Sequence, residues 1–541
     1  MTVLCDKGVF LCECHGSVSQ ALPMDAICRF LAQMRPDLPV VVADDLCQPG
    51  VLRQLAQEHG IKPLVVGACS RLSPKLGFGA KPEEAAIDPF SIRVVNILGE
   101  SMAFPDGNIL MERVKLLLWA QVARQAKSSN VPEQALRMRF ARPEGKISRR
   151  DLFETLMPRY QVIPYVQTEK CAGGERCHLC QHVCALNAIA VDDNRVSIDR
   201  IRCQGCGACT TVCPCQAISY PTFSADQLHR EMEGLLLAGG NLLEPRLLAF
   251  TCRPPSDETK TGLFRHTPNI MPLEVPCLNM VSCCLLLCAF DLGAQGIALV
   301  PDKGRCRIGL RLEGWQDKVR FVQELLQQWG IEPRRIQALE GSDSDIEQRL
   351  GQFARDIATL ETTPLRSSQP LIVSTGGMAL PSLILGLTEK LAPTGTRVVS
   401  GDCVPFGRLK IDISQCTGCG LCSLDCPTGA LSLVSDTRSC QLLFRHQACV
   451  GCGQCVTVCP ESCLHLKKIL ELERLDKPAE VIFASEIARC HRCGAPIAPR
   501  AMIDKLRARI AAAQGTTTQL DICPACRTKS VSGAAASMIG V

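Results

Sequence analysis

The stretch of sequence that decides the fold runs from Cys416 to Pro460 and repeats one spacing of cysteines. It reads Cys416-Thr-Gly-Cys419-Gly-Leu-Cys422-Ser-Leu-Asp-Cys426-Pro427, and then Cys449-Val-Gly-Cys452-Gly-Gln-Cys455-Val-Thr-Val-Cys459-Pro460. In each half, two residues separate the first three cysteines, and a fourth cysteine follows after three more residues and precedes a proline. An iron–sulfur cube needs four thiolates that converge from different directions. A tight turn can offer three of them, so the fourth must come from a segment that leaves the turn.

This double run resembles that of the bacterial two-cluster ferredoxins, in which the fourth cysteine of each run ligates the other cluster. The resemblance implies one [4Fe–4S] cluster on Cys416, Cys419, Cys422 and Cys459, and a neighbouring cluster on Cys449, Cys452, Cys455 and Cys426. Glycines in both turns allow the backbone to approach the sulfides, namely Gly418, Gly420, Gly451 and Gly453. The alternative is a disulfide or zinc framework, but zinc sites do not need a repeated spacing that ends in Cys-Pro. We refer to residues 401–475 as the second cysteine module. Near its end, Cys463 and His465 are either packing residues or residues that tune the nearest cluster, and we favour packing.

The composition indicates a globular, metal-binding chain. Its 541 residues suggest three or four domains, and hydrophobic residues are 46% and charged residues 21%. The net charge of +5 is too small to indicate nucleic acid binding. The 36 cysteines fall in short-spaced groups, and the first sixteen residues contain no uninterrupted apolar segment typical of a secretory leader. We therefore expect metal ligands in the reducing cytoplasm instead of secreted disulfides.

We expect no membrane span. A transmembrane helix needs about 18 consecutive apolar residues. The best candidate, residues 281–300, contains Asp291, Gly293 and Gln295. We interpret that stretch as a buried helix followed by a buried strand.

A second set of cysteines defines the first cysteine module, residues 161–225. One run is irregular, because five residues separate Cys171 from Cys177 and Ala185 stands where a proline is expected. Crossed assignment predicts one [4Fe–4S] cluster on Cys171, Cys177, Cys180 and Cys213, and another on Cys203, Cys206, Cys209 and Cys184. The enlarged loop still allows four thiolates to converge, although the alternative is that the irregular cluster is lost. The two modules together predict four clusters.

The N-terminal domain, residues 1–130, shows a βαβαβ pattern. Short aliphatic runs at 9–11, 40–43 and 64–67 predict strands, and the segments 21–33 and 50–59 predict the helices between them. Such alternation is typical of a parallel sheet. Cysteines follow each strand, so they are expected at the carboxyl edge, where open α/β folds bind ligands: Cys12, Cys14, Cys47 and Cys69. The alternative is that they are small buried hydrophobic residues.

Residues of this domain resemble the N-terminal region of the A subunit of heterodisulfide reductase. They are Phe10-Leu-Cys12-Glu-Cys14-His-Gly16, Asp45-Leu-Cys47-Gln-Pro-Gly50, Gly67-Ala-Cys69-Ser-Arg71 and Arg93-Val-Val-Asn96-Ile-Leu-Gly-Glu100. The resemblance implies a fifth cluster on the four cysteines named above. That family continues into a flavin domain, but this chain has no Gly-x-Gly-x-x-Gly after a strand, so we expect no flavin. Residues 92–98 predict a further strand, 109–125 a long helix, and 131–160 a linker.

The middle domain, residues 240–345, again shows alternating strand and helix patterns. We predict strands at 247–251 and 297–300, and helices at 278–292 and 313–329. The segments from Val275 to Val300, Gly304-Arg-Cys306 and Gly330 to Arg334 resemble the delta subunit of methyl-viologen-reducing hydrogenase. That resemblance implies a [2Fe–2S] cluster near Cys252, Cys277 and Cys306. Pro301-Asp302 replaces the expected Gly-Cys pair, so one ligand is missing unless Cys283, Cys284 or Cys288 supplies it.

The alternative for the middle domain is a docking domain that has lost its metal. A linker and lead-in segment, residues 346–400, then joins it to the second cysteine module. After that module, residues 485–530 form what we call the knuckle domain. Its paired Cys-x-x-Cys knuckles are typical of a zinc ribbon: Cys490, Cys493, Cys523 and Cys526. The same spacing fits a rubredoxin-like iron. Aromatic residues are only 4% of the chain, so protein docking is favoured over nucleic acid binding.

The sequence thus predicts a multidomain α/β and α+β protein with a parallel-sheet N-terminal domain, two ferredoxin-like modules, a second α/β domain between them and a zinc ribbon. It contains no Walker loop, nucleophile elbow or His-Glu-x-x-His motif, so we expect no catalytic site of its own. Many one-electron sites without a substrate site predict an electron relay. The resemblances imply hydrogenase, heterodisulfide-reductase-like or formate dehydrogenase partners, of which we favour formate dehydrogenase. The alternative function is a redox-sensing or maturation scaffold.

Overall fold

The chain divides into two units in the computed structural model. The first unit comprises Met1–Cys171 and Leu179–Gly395, and the second comprises Ala172–His178 and Thr396–Val541. The residues that the structure describes are 7–48, 50–69, 90, 92–125, 131–139, 159–174, 177–192, 195–252, 263–301, 314–366, 380–391, 398–513 and 520–528.

The first unit begins with a parallel sheet of strand order β2-β1-β3-β4, as the βαβαβ pattern predicts. The predicted strand over 92–98 is too long, because a helix begins at Ile97. The Asn96 side chain accepts a hydrogen bond from the backbone N–H of Gly99 (2.9 Å) and so caps that helix. The elements are β1 (Lys7–Cys12), α1 (Met24–Met34), β2 (Val40–Ala43), α2 (Val51–Glu58), β3 (Lys62–Ala68), β4 (Arg93–Asn96), α3 (Ile97–Ala103) and α4 (Gly107–Gln125).

The first cysteine module follows, and a β-hairpin separates its two runs of cysteines. Strands β8 and β9 form that antiparallel hairpin, and β7 pairs with β10 across the ends of the module. Strands β5 and β6 pair within the segment predicted as a linker. The elements are β5 (Leu136–Arg139), β6 (Arg159–Val162), β7 (Tyr165–Val166), α5 (Leu179–Val183), β8 (Ile189–Asp192), β9 (Arg195–Ile198), α6 (Ala208–Val212), β10 (Ile218–Ser219) and α7 (Ala225–Leu236).

Helices α4 and α7 pack at close range around buried charges. A Cβ atom on Gly234 of α7 would lie 2.5 Å from the Cα of Ala120, so only glycine permits this approach. Arg124 of α4 forms a buried ion pair with Glu231 of α7. Arg113 donates to the carbonyl of Ile270 in the middle domain (2.8 Å). These contacts join the N-terminal domain to the segments that follow it.

The middle domain is built on a second parallel sheet, of strand order β12-β11-β13-β14. The single helix predicted over 278–292 is wrong, since a short 3₁₀ helix, Leu278–Met280, precedes an α-helix that Ser282 caps. Residues 281–300 are a buried helix and strand, as predicted. The elements are β11 (Leu247–Cys252), β12 (Ile270–Val275), α8 (Cys283–Asp291), β13 (Gly296–Val300), α9 (Gly314–Gln328), β14 (Ile336–Ala338), α10 (Asp343–Ala358) and α11 (Leu380–Lys390).

The second unit contains two antiparallel sheets, of order β15-β19-β16 and β17-β18-β20-β21. The latter runs without a break from the second cysteine module into the knuckle domain, because β20 pairs with β18. The elements are β15 (Val398–Ser400), β16 (Gly407–Ile411), α12 (Leu421–Leu424), β17 (Leu431–Ser435), β18 (Ser439–Phe444), α13 (Gln454–Thr457), β19 (Leu464–Glu471), β20 (Glu480–Arg489), β21 (Pro496–Pro499) and α14 (Arg500–Ala512). Within the described ranges of the chain, no helix has both the length and the apolar character that crossing a bilayer requires.

Candidate metal centres

Two cysteine-lined cavities lie in the second cysteine module. Cys416, Cys419 and Cys422 line the first cavity together with Cys459, which the second run supplies. Cys449, Cys452 and Cys455 line the other cavity together with Cys426, which the first run supplies. The fourth cysteine of each run thus lies at the cavity of the other run. This is the geometry that the crossed assignment needs, while the ligand assignment itself stays a prediction.

Close backbone approaches shape the walls of the second cavity. A Cβ atom on Gly407 of β16 would lie 2.8 Å from the Sγ of Cys449, so a larger residue there would displace this thiol. Gly451 has a φ of +64°, and a Cβ atom on it would lie 3.1 Å from the carbonyl oxygen of Phe406. Glycine is the residue that adopts this left-handed conformation at least cost. The turn and β16 together place Cys449 at the cavity.

Burial changes the acid–base behaviour of these thiols. It raises the pKa of Cys422 and of Cys455 to about 12, and that of Cys449 to about 11, because a thiolate is poorly solvated there. Iron ligation requires the thiolate, so a bound metal would displace these protons and supply the missing positive charge. The donor set, the apolar lining and the backbone geometry therefore fit a thiolate-ligated cluster in each cavity.

Cys463 is a fifth thiol at the first cavity. Its Sγ lies 3.5 Å from the Sγ of Cys459, and the residue is 3% exposed. It lines the cavity with the four assigned cysteines. Its burial agrees with the packing role expected from the sequence, but its nearness to Cys459 was not expected. Nothing in the local spacing distinguishes it from a core cysteine.

The first cysteine module collects its thiols around a small apolar core. Cys180 and Cys209 are buried in that core, and Cys171, Cys184 and Cys213 pack against it. Burial raises the pKa of Cys203, Cys206 and Cys209, and the neighbouring charge of Cys184 adds to the effect at each of them. Cys184 is thus close to the three cysteines with which it was grouped. Cys177 lies in the segment that belongs to the other unit.

Two of these sulfurs accept matched backbone hydrogen bonds. The N–H of Ala188 donates to the Sγ of Cys184 (3.3 Å), and the N–H of Ala217 donates to the Sγ of Cys213 (3.2 Å). In both cases the donor lies four residues after the last cysteine of its run. Hydrogen bonds to ligand sulfurs raise the reduction potential of a cluster by stabilising its more negative state. These two N–H groups would act alike on the two predicted clusters.

The N-terminal thiols gather at the carboxyl edge of the first parallel sheet. A hydrogen bond from Cys14 lowers the pKa of Cys12 to about 6, and the same contact raises the pKa of Cys14. Cys69 lies near enough to act on Cys14, and Cys47 packs against the same apolar core as Cys12. The four thiols share one edge as expected. The cluster that they are predicted to hold stays a prediction.

The middle-domain cysteines lie around the 3₁₀ helix Leu278–Met280. Cys277 precedes this helix and accepts a hydrogen bond from the Asn279 side chain (3.5 Å), while Cys283 begins α8. A hydrogen bond from Cys288 lowers the pKa of Cys284. Cys306, which the [2Fe–2S] prediction needs, lies outside the described residues, so that prediction stays untested.

The turn that carries Cys206 packs directly on this 3₁₀ helix. A Cβ on Gly207, whose φ is +71°, would lie 2.8 Å from the Cβ of Met280. Lys318 of α9 spans the same contact, since its Nζ donates to the Asn279 carbonyl (2.6 Å) and to the Thr211 hydroxyl (3.2 Å). Burial lowers the pKa of Lys318 to about 8. This lysine was not predicted from the sequence, because its partners are distant in the chain.

The knuckle domain brings four sulfurs into one group. Those of Cys490, Cys493, Cys523 and Cys526 all lie within 4.8 Å of one another, and Cys493 and Cys523 are 3.6 Å apart. A tetrahedral zinc with Zn–S bonds of about 2.3 Å holds its sulfurs about 3.8 Å apart, and iron in the same ligand set behaves alike. The backbone N–H of Cys523 lowers the pKa of Cys490 to about 6, which favours a ligating thiolate. The group therefore fits a four-coordinate metal.

We expect Cys526→Ser to abolish metal binding at this group. Loss of one of four thiolates leaves an incomplete tetrahedral set. Elemental analysis of the purified chain should give about one zinc per chain, falling to below about a fifth of that in the variant. Cys28→Ser is the matched control, because Cys28 lies on α1, far along the chain from the group. Unchanged zinc in the Cys526 variant, or iron in place of zinc in the unmodified chain, would contradict the assignment.

Family models match three parts of the chain. One described as methyl-viologen-reducing hydrogenase, delta subunit, matches residues 248–361. A 4Fe-4S dicluster domain matches residues 415–464, and a 4Fe-4S binding domain matches residues 196–219. The matched segments contain most of the middle domain and the regular cysteine runs of both modules.

Three curated proteins are similar to parts of the chain. The A subunit of the H(2)/formate:CoB-CoM heterodisulfide,ferredoxin reductase of Methanococcus maripaludis is 35% identical over 134 residues, or 24% of this chain, and the chain spans only 20% of that protein. The iron-sulfur D subunit of the F420-non-reducing hydrogenase vhc of Methanococcus voltae is 26% identical over 98 residues, 17% of this chain and 68% of that protein. Ferredoxin 7Fe of Hydrogenibacillus schlegelii is 36% identical over 63 residues, 12% of this chain and 80% of that protein.

Proposed function

We propose that this chain, which belongs to the ferredoxin-type iron–sulfur proteins, is an electron-transfer subunit of a larger oxidoreductase complex. Its match to the delta-subunit family of methyl-viologen-reducing hydrogenase supports this proposal. Its cysteine modules would relay single electrons between a partner oxidoreductase and another redox carrier. The partner would belong to the hydrogenase or heterodisulfide reductase class, which are the classes that the names of the similar proteins describe. Formate dehydrogenase is the finer proposal for that partner.

One observation carries this proposal. In the second cysteine module, the four assigned cysteines of each predicted cluster line one of two neighbouring cavities, and each cavity takes the fourth of them from the other run. When bound, a [4Fe–4S] cluster exchanges one electron with little change in geometry. The residues of the chain hold the thiolates at fixed positions, bury them in apolar surroundings and direct backbone N–H groups at sulfur. These are the tasks of a relay, and none of them needs a substrate pocket.

The contact between the first cysteine module and the middle domain supports a route for electrons through the first unit. Gly207 lies in the turn between Cys206 and Cys209, and Met280 lies between Cys277 and Cys283. The backbone of Gly207 and the side chain of Met280 are in direct contact. Any acceptor held by the middle domain or docked on this surface would thus lie close to the Cys206 site, and short separation favours electron transfer.

We expect the anaerobically purified chain to contain at least about 16 iron and 16 acid-labile sulfide atoms, four for each of the four predicted [4Fe–4S] sites. Redox titration followed by electron paramagnetic resonance should then resolve several reversible one-electron signals. A fifth N-terminal cluster would raise the iron content to about 20. Colourless protein without acid-labile sulfide would overturn the proposal.

The partner test separates a relay from a scaffold. The reduced chain should become oxidised, as its iron–sulfur signals show, when it is mixed with the purified hydrogenase, heterodisulfide reductase or formate dehydrogenase that is its redox partner. It should stay reduced when no redox partner is added. A scaffold that senses or assembles would bind the partner without this exchange and without changing its turnover. Stable binding with no electron exchange would therefore favour the scaffold alternative.

A further inference from the structure

Lys505 of α14 joins the two chain segments that supply the first cavity of the second cysteine module. Its Nζ donates to the backbone carbonyl of Gln415 (2.7 Å) and to the Gln415 side-chain oxygen (2.9 Å). The same Nζ lies 2.9 Å from the carboxylate of Glu461. Gln415 immediately precedes Cys416, and Glu461 follows Cys459 by two residues. One ammonium group therefore bridges the segments that carry two of the assigned ligands.

Glu461 is the more buried half of this bridge. Its side chain is 9% exposed, and the hydrogen bond from Lys505 lowers the pKa of its carboxyl. Arg509, one turn further along α14, makes a second contact with the same carboxylate (2.6 Å). Charge-assisted hydrogen bonds of this kind are stronger than neutral ones. The helix α14 thus holds the Cys459 segment through two cations.

Contacts with the cysteine knuckles and with β20 fix the position of α14 within the knuckle domain. The side chain of Arg507 makes two hydrogen bonds to Asp521 (2.8 and 2.9 Å), which is two residues before Cys523. The backbone N–H of His491, next to Cys490, donates to the Asp521 carbonyl (3.0 Å). At the start of the helix, the N–H of Ala501 donates to the Ser485 hydroxyl of β20 (3.2 Å). Metal binding at the knuckles would therefore hold the helix that presents Lys505.

The contacts of α14 and the strands beside it are made to the first cavity of the second cysteine module. In the first cavity, a Cβ on Gly418 would lie 3.0 Å from Phe483 of β20 and 3.3 Å from Pro499 of β21. The equivalent glycine of the second cavity, Gly451, lies against Phe406, which precedes β16. Among the described residues, Pro499 of the knuckle domain and Phe483 of the strand leading into it thus pack on the turn of the first cavity, while the turn of the second packs within its own module.

We propose that Lys505 is a positioning residue that clasps the Cys416 site, and that the metal-bound knuckle domain holds this clasp in place. The site at Cys416 would then depend on the knuckle domain for its retention of iron, and the site at Cys449 would not. The inference rests on the proposed function only in requiring clusters in the two cavities. It assigns the Cys490 metal a role in securing a neighbouring redox site in addition to folding its own domain.

The test measures cluster retention at each site separately. The full chain, loaded anaerobically, is incubated with an iron chelator and an alkylating reagent, and mass spectrometry follows the labelling of each cysteine peptide over time. In Lys505→Met we expect peptides with Cys416, Cys419 and Cys422 to be labelled about fivefold faster than in the unmodified chain, because the variant loses the charge-assisted hydrogen bonds of Lys505. Peptides with Cys449, Cys452 and Cys455 should be labelled at the unmodified rate.

Glu461→Gln changes the carboxylate that Lys505 contacts, and Cys526→Ser removes a predicted metal ligand of the knuckle domain. Both variants should likewise speed the labelling of the Cys416, Cys419 and Cys422 peptides and leave the Cys449, Cys452 and Cys455 peptides unchanged. Lys410→Met is the matched control, because Lys410 is an exposed lysine of β16 in the same module, and it should change neither set. Equal acceleration of both sets, or no acceleration in any of the three variants, would overturn the clasp. Immediate labelling of all cysteines in the unmodified chain would instead mean that no clusters are bound, which overturns the proposed function as well.

Discussion

Replacing Cys459 by alanine should destroy the cluster built on Cys416, Cys419 and Cys422, although Cys459 belongs to the other cysteine run. The physical reason is that Cys459 lines the first cavity, whereas the second cavity is completed by Cys426. Loss of one of four thiolates removes a required ligand. The replacement should be combined with Cys463→Ala, because the Sγ of Cys463 is only 3.5 Å from that of Cys459 and a thiol there could take the vacant position.

The expected loss is about 4 of 16 iron atoms, a quarter of the total, together with one set of electron paramagnetic resonance signals. Cys463→Ala alone is the control and should retain full iron. Cys426→Ala is the reciprocal variant and should remove the cluster built on Cys449, Cys452 and Cys455. Site-resolved alkylation identifies which cysteines lose protection. If the double variant exposes Cys449 and leaves Cys416 protected, each cluster takes its ligands from a single run and the crossed assignment is wrong.

Replacing Glu231 by glutamine should lower the free energy of unfolding of the first unit by about 3–5 kcal/mol, because it leaves the buried guanidinium of Arg124 without its paired carboxylate. Glu231 is 2% exposed and pairs with Arg124, and it also accepts a hydrogen bond from Gln121 (2.6 Å). Arg93 lies on the same Phe223 ring as Arg124, at 4.8 and 4.5 Å from the ring centre. Burial, with the charge of Arg124, lowers the pKa of Arg93 to about 9.

Tryptophan fluorescence during urea denaturation measures this effect in one unit. All three tryptophans of the chain, Trp119, Trp315 and Trp329, belong to the first unit. Glu233→Gln is the matched control, since Glu233 lies on the same helix with 34% of its side chain exposed, and it should change stability by less than about 0.5 kcal/mol. Equal stability of the Glu231 variant and the control would show that Arg124 needs no paired carboxylate.

The local patterns of the chain were enough for much of the fold. Alternating strand and helix signals predicted both parallel regions, and the structure confirms a parallel sheet in the N-terminal domain and another in the middle domain. The errors lie at element ends. Asn96 begins a helix inside a predicted strand, and Ser282 begins a new helix inside a predicted one. Both residues are side-chain caps, which act on backbone N–H groups one turn away and leave no trace in hydrophobic periodicity.

The sequence by itself determined which cysteines can act together, because cluster ligation depends on short spacings that a turn imposes directly. The two runs from Cys416 to Pro460 therefore predicted the grouping of the eight assigned cysteines that line the two cavities, but not the fifth thiol, Cys463, at the first cavity. Only the tertiary structure decided what surrounds them. Lys505 is 90 residues from Gln415, and Lys318 is 107 residues from Thr211. Such partners meet only after sheets and helices have packed, and no local spacing in the chain encodes that meeting.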